Sequence, residues 1–226
     1  MVHVYALLEV SFDLTVHSLD SLDFIDYEFG TRHSASPADV VTVHQVHSAR
    51  DIWNCGTPAR HQAVRPDADA LIENTPGIAV GVKTADCVPI LLADPKHHAV
   101  AAIHAGWRGS AAGIVHAAVQ SMGEEFGTRP DDIYAAIGPS IGPCCYEVGE
   151  EVAAKFGIPG SGHVHLDLRA INAGQLTDAG VPARNVSTSP ACTKCESDFY
   201  HSFRRDREAA GRMISWIRIK PRIKPE

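Results

Sequence analysis

The amino-acid sequence predicts an α+β fold with mixed β-sheets in a single domain, residues 1–226, on three observations. Short β-branched or apolar runs outnumber helical patterns. The two kinds of segment do not alternate in the regular order of a doubly wound sheet. One run, Ala99-Val-Ala-Ala-Ile-His, is apolar nearly throughout, as a strand buried on both faces is.

In chain order, residues 1–30 alternate loosely between apolar and polar, which predicts edge or hairpin strands. The β-branched stretch 40–46 predicts a strand running into His47. Residues 69–75 and 78–83 form two short strand patterns parted by the Pro76-Gly77 turn, and Val88–Asp94 is a third that ends at Asp94-Pro95. The apolar run at 99–104 follows. Ile114, Val115, Ala118, Val119 and Met122 then recur at helical spacing, and the pattern stops near Gly127. Residues 133–139 return to strand, 148–156 and 168–179 suit helices, and Gly180 with Pro182 closes the second. Residues 212–219 predict a last strand and 220–226 a frayed end.

Composition excludes several roles. A formal charge of −7 argues against a nucleic-acid binder, which needs a basic face, although a local arginine cluster would still accommodate a small anion. The first residues carry no basic segment followed by a cleavable apolar one, and no apolar run approaches the roughly 18 residues of a membrane span. A cytoplasmic protein is expected, with its six cysteines as thiols or metal ligands rather than disulfides.

Three residues at strand ends or tight turns invite a metal. His47, Cys87 and His104 offer two imidazoles and a thiolate, a donor set that suits catalytic zinc and leaves a fourth position open. Each also has a plainer reading, a buried cysteine or a hydrogen-bonded histidine, and gaps of 40 and 17 residues leave the choice to the fold. Cys192-x-x-Cys195 has metal-finger spacing, but no second cysteine or histidine pair lies near it in sequence. The vicinal Cys144-Cys145 is expected simply to pack after its Gly-Pro turn.

Longer stretches carry a resemblance. Asp67-Ala-Asp-Ala-Leu, Thr84-Ala-Asp-Cys-Val-Pro-Ile-Leu-Leu-Ala-Asp-Pro, His104-Ala-Gly-Trp-Arg-Gly-Ser-Ala-Ala-Gly-Ile-Val and Ile137-Gly-Pro-Ser-Ile-Gly-Pro-Cys-Cys-Tyr-Glu-Val follow in that order. Cys192-Thr193, Phe203-Arg-Arg-Asp and Gly211-Arg212 come after them. Over roughly residues 40–217 the chain closely resembles the polyphenol oxidase or laccase-domain family, which includes purine nucleoside phosphorylases of the multi-copper-laccase-like type and peptidoglycan-editing relatives. The resemblance implies mixed sheets with flanking helices, in a fold similar to the deamidating-toxin-like cysteine hydrolases. It implies one zinc on His47, Cys87 and His104. It implies phosphorolysis of adenosine, inosine, guanosine and methylthioadenosine, and hydrolytic deamination of adenosine, with a nucleoside and phosphate as partners and neither nucleic acid, membrane nor protein among them. The stretch Phe29-Gly-Thr-Arg-His-Ser-Ala-Ser matches the family's approach to the first ligand only in part, because the paired glycines are missing.

Within that expectation Arg108, four residues after a ligand, is the first candidate to bind phosphate and Arg32 the second, since a guanidinium fork suits an oxyanion. The same Arg108 would otherwise pair with a carboxylate and begin the helix. Asp86 is a candidate general base or, more in keeping with its place beside Cys87, a group orienting a ligand histidine. Tyr146 is a candidate pocket residue, and Arg204-Arg205 is expected mainly to pair with nearby aspartates. Two other enzymes share the family's features: a copper phenol oxidase, disfavoured because multicopper centres need many ordered histidines, and a cysteine amidase on peptidoglycan precursors with Cys87 as nucleophile. An inert zinc-bearing scaffold is the non-enzymatic alternative.

Overall fold

A computed structural model describes residues 17–48, 52–54, 66–159 and 162–221. Its strands are β1 (Ile25–Glu28), β2 (Ile52–Asn54), β3 (Ala70–Glu73), β4 (Ala79–Thr84), β5 (Val88–Asp94), β6 (Ala99–Ala105), β7 (Tyr134–Ile137), β8 (Glu147–Val148), β9 (Val164–His165), β10 (Val186–Thr188) and β11 (Met213–Ile219). The helices are α1 (Trp107–Ala111), α2 (Ile114–Phe126), α3 (Glu150–Ala154), α4 (Leu168–Asp178) and α5 (Phe203–Asp206), with short 3-10 turns between elements.

Six strands form the central sheet in the order β10-β7-β5-β6-β3-β2, parallel at the β10–β7 and β2–β3 edges and antiparallel inside. A second, antiparallel sheet runs β1-β11-β4, and β8 pairs with β9 as a small ribbon. The mixed-sheet α+β prediction therefore holds.

Two-residue periodicity divides the central strands between two cores. Along β5, Ile90 and Leu92 join a core with Ile114, Val115, Met122, Leu168 and Leu176 of the helical layer. Leu91 and Ala93 face the opposite way, into a core with Val80, Val82, Ile217 and Ile219 of the second sheet. Every residue of β5 and of β6 is buried, so these strands are covered on both faces. Burying each large side chain there stabilises the fold by about 1.5–3 kcal/mol. A helix needs one apolar stripe to join such a core, and α2 supplies it before Gly127 ends it in the left-handed region at φ 74°. Asp167 caps α4 by accepting from the backbone N–H groups of Arg169 and Ala170.

Two expectations change. The stretch 40–46 makes only two isolated bridges, Val41 to Val80 and His44 to Asp67. Its two partners belong to different segments, so no continuous ladder can build. The helix expected at 148–156 shrinks to α3, because Val148 pairs with Val164 and Gly157 turns the chain at φ 68°. Of residues 1–30, β1 is the strand among those described; residues 1–16 and 222–226 lie outside them. No helix among the described residues is long and apolar enough to cross a membrane.

Candidate metal centre and pocket

The strands deliver the three distant donors to one place. His47 follows the bridged segment, Cys87 stands in the bend between β4 and β5, and His104 lies in β6 opposite Pro89. Their donor atoms all fall within 4.8 Å of one another. The two imidazole rings meet edge to face, with centroids 4.7 Å apart. Gly106 leaves the space this demands: a Cβ there would come within 3.2 Å of both the Cys87 sulfur and the His47 ring.

Asp69, to which the sequence assigned no role, holds the arrangement. Its side chain is fully buried just ahead of β3 and accepts from His104 Nδ1 at 2.8 Å and from the backbone N–H groups of His47 and Ser48 at 3.0 and 2.6 Å. With Nδ1 so occupied, His104 turns Nε2 toward Cys87 and His47. Burial by itself would push the Asp69 carboxyl up, but the His104 and Ser48 hydrogen bonds outweigh it and hold the group below the usual carboxylate range. The turn wrapped around this carboxylate puts His47 at φ 58°. Asp86 and Arg207 are also left-handed, so three of the four non-glycine residues with positive φ among those described line one pocket.

Sulfur and imidazole polarise each other. Burial pushes the Cys87 thiol up, but facing His104 and His47 reverses this and brings it down to about 6. Burial likewise disfavours charged His104, yet the Cys87 thiolate and Asp69 raise it to about 9. The protein thus offers a ready thiolate beside two imidazoles, and the donor set fits a metal ion with an open side toward the pocket.

That pocket is a cavity of about 730 Å³ with Cys87, His47 and His104 among its walls. Trp107, Arg108, Tyr146, Phe203, Arg204, Arg207, Arg212 and Lys83 line it as well. No carboxylate among the described residues forms an ion pair with any of these four arginines, so an overall acidic chain keeps a cationic pocket. Arg108 lies over the Trp107 ring at 4.3 Å and Arg204 over the Tyr146 ring at 5.3 Å. Burial, with the Cys87 charge second, pushes Tyr146 up to about 12, so its phenol stays protonated and can donate.

The other sequence candidates separate. Asp86 touches neither imidazole: its carboxylate accepts from the Thr193 hydroxyl (2.7 Å), the Ser202 hydroxyl (3.0 Å) and the Arg204 backbone N–H (2.6 Å). It anchors the C-terminal arginine segment to the bend that carries Cys87. Arg32 is absent from the pocket wall and lies instead against His201, at 3.4 Å. The expected pairing of Arg204-Arg205 applies to Arg205 alone, which bonds Asp206 and the carbonyls of Thr193, Lys194 and Tyr200, while Arg204 faces the pocket. Sequence reasoning missed Arg207 and Arg212, although the density of arginine from 204 to 212 was the available signal.

A second cluster was also missed. Cys144-Cys145 comes to rest against Cys192 and Cys195, and these four sulfurs too lie within 4.8 Å of one another. The partner pair that Cys192-x-x-Cys195 lacked along the chain is supplied across the fold.

A mixed-sheet α+β protein with a His₂Cys donor triangle under a cationic pocket is the class these features define. Residues 10–220 match the family model described as multi-copper polyphenol oxidoreductase laccase, and the chain belongs to that family. It is 38% identical over 203 residues, 82% of this chain and 75% of the relative, to a purine nucleoside phosphorylase of Bacteroides thetaiotaomicron. It is 39% identical over 196 residues, 79% of this chain and 74% of the relative, to adenosine deaminase RL5 from an unknown prokaryotic organism. Among solved structures, YlmD from Geobacillus stearothermophilus superposes with a TM-score of 0.75 at 36% identity, covering 80% of this chain and 74% of that one. Such relatives make the protein an enzyme of a nucleoside-processing kind.

Proposed function

We propose that the protein is a zinc-dependent purine nucleoside enzyme that performs phosphorolysis of adenosine, inosine, guanosine and methylthioadenosine and deaminates adenosine. The observation that carries this reading is the His47–Cys87–His104 triangle set in the wall of a cavity that also presents four arginines with no ion pair to a carboxylate among the described residues. The relatives named as phosphorylases and as an adenosine deaminase support it. Two imidazoles and one thiolate suit a single zinc and are too few for a multicopper centre. Bound there, zinc supplies Lewis acidity toward an oxygen of substrate or water.

The chain's own groups supply the rest. In phosphorolysis a phosphate oxygen bonds to the ribose anomeric carbon while the glycosidic C–N bond breaks, and its electron pair and a proton go to the purine. Arg108, Arg204, Arg207 and Arg212 suit the phosphate dianion, because guanidinium forks bond two oxygens at once. Trp107 and Tyr146 offer aromatic surface to the base, and the protonated Tyr146 hydroxyl can donate to a ring nitrogen or sugar oxygen. Asp69 fixes the tautomer and orientation of His104. In deamination a water oxygen adds at the amino-bearing purine carbon and ammonia leaves.

A second reading rests on one observation. Cys87, His104 and Asp69 stand in the order nucleophile, base and orienting carboxylate, with the thiol already acidic. That is the layout of a cysteine amidase, here one acting on peptidoglycan precursors in a deamidating-toxin-like fold. Incubating the purified protein with adenosine, with and without phosphate, decides between the two. Adenine that forms only with phosphate, or inosine, is expected, and both should vanish on chelation. The absence of both products would sink the nucleoside reading, and amidase activity that survives chelation would establish the other.

A further inference from the structure

We propose that Cys144, Cys145, Cys192 and Cys195 form a second metal site, closed and structural, that takes one zinc ion per chain. Tetrahedral coordination at Zn–S distances near 2.3 Å puts ligand sulfurs about 3.8 Å apart. Cys144 and Cys195 stand at 3.7 Å, Cys145 and Cys195 at 3.4 Å, and no pair exceeds 4.8 Å. A disulfide would use two of these sulfurs and leave two others crowded against it, whereas one ion uses all four.

The backbone around the cluster is arranged for thiolate. The Gly142 N–H donates to the Cys192 sulfur at 3.2 Å, and the amides of Lys194 and Cys195 face the same atom. Amide donors of this kind stabilise a metal-bound thiolate and orient it. Two loops carry the ligands and are tied to each other by the Ser140–Cys192 bridge and by the Thr193 N–H bonding the Ser140 carbonyl at 3.0 Å. Two arginines hold the loop of Cys192 and Cys195. Arg205 bonds the carbonyls of Thr193 and Lys194, and buried Arg169 bonds those of Ser189 and Ala191.

The position gives the ion a purpose. Tyr146, next to Cys145, lines the pocket, and Thr193, next to Cys192, bonds the Asp86 carboxylate. An ion joining the two loops would pin both, so this site acts as a rivet behind the pocket while the His₂Cys triangle stays open to substrate.

Metal analysis of the full chain, loaded with zinc and dialysed, tests this. Wild type should retain two ions per chain, the Cys87→Ala variant one, and the Cys192→Ser/Cys195→Ser variant one. The Cys87→Ala count leaves all four sulfurs intact and remains decisive should the double variant not fold. Loading Cys87→Ala with cobalt(II) should also give the intense thiolate-to-metal absorption of an all-sulfur tetrahedral site. A Cys87→Ala protein without bound metal would overturn the proposal, as would alkylation mapping that finds two of the four cysteines joined in a disulfide in anaerobically purified protein. The counts are independent of nucleoside turnover, so failure of the nucleoside reading leaves them unchanged.

Discussion

The two sulfur clusters of this protein use the same element and differ in everything around it. At His47, Cys87 and His104, three donors come from a turn, a bend and a strand, one buried carboxylate orients two of them, and the remaining side faces a cavity of about 730 Å³. At Cys144, Cys145, Cys192 and Cys195, four sulfurs close on one another from two loops, with a backbone amide donating to the Cys192 sulfur and the Glu196 carboxylate accepting from the Cys192 N–H. On the proposal that both hold a metal ion, donor count separates the roles: three ligands leave a position open for chemistry, and four leave none.

The comparison breaks most visibly at Cys87. Cys87→Ala should lower kcat/KM for adenosine phosphorolysis by at least ~10³-fold, about 4 kcal/mol at 1.36 kcal/mol per factor of ten, with circular dichroism unchanged. A variant that keeps most of its activity would remove the triangle from the mechanism. Asp69→Asn comes next: orienting partners of ligand histidines typically contribute about 10–100-fold in metal affinity or activity. Titration with a competing chelator should show that weakening at the triangle and none at the four-cysteine cluster, and equal weakening at both would deny Asp69 its local task. Arg108→Met should raise KM for phosphate roughly 10-fold, from the loss of a charge-assisted bidentate contact, with adenosine deamination little changed. An unaltered KM would assign phosphate to the arginines of 204–212 instead.

The smallest effect concerns pH in the metal-stripped protein. The Cys87 pKa is depressed on folding from an ordinary 9.0 to about 6, so its stabilisation is present at high pH and is lost as pH falls through 6. The His104 pKa is raised from 6.5 to about 9, so its stabilisation is present at low pH and is lost as pH rises through 9. Between about pH 6 and 9 the rising Cys87 contribution and the falling His104 contribution offset each other, so Tm should stay nearly level across that range, and alkylation of Cys87 should titrate near 6. A midpoint near 9 for alkylation would mean that the imidazoles do not act on the sulfur.

What could be read before folding was whatever repeats at short range or keeps its order along the chain. The two-sided apolar runs of β5 and β6, the stripe of α2 with its stop at Gly127, and the family motifs bearing His47, Cys87 and His104 all belong to that class. Asp69 escaped notice although it lies within one of those motifs, because its importance rests on hydrogen bonds to residues 22 and 35 positions away. Asp86 looked like a partner for histidine because it adjoins Cys87, yet a φ of 86° turns it toward Thr193, Ser202 and Arg204. Arg32 was drawn toward phosphate by its type, and the fold set it beside His201.

By itself the sequence determined the α+β class and the buried central strands, since hydrophobic period is a local property, and the donor triangle was legible only through the family resemblance. Only the tertiary structure decided which carboxylate serves which histidine, which arginines face the cavity, and that Cys144-Cys145 meets Cys192 and Cys195. Those outcomes depend on contacts between segments dozens of residues apart, where strand register and loop closure set the distances and no local pattern records them.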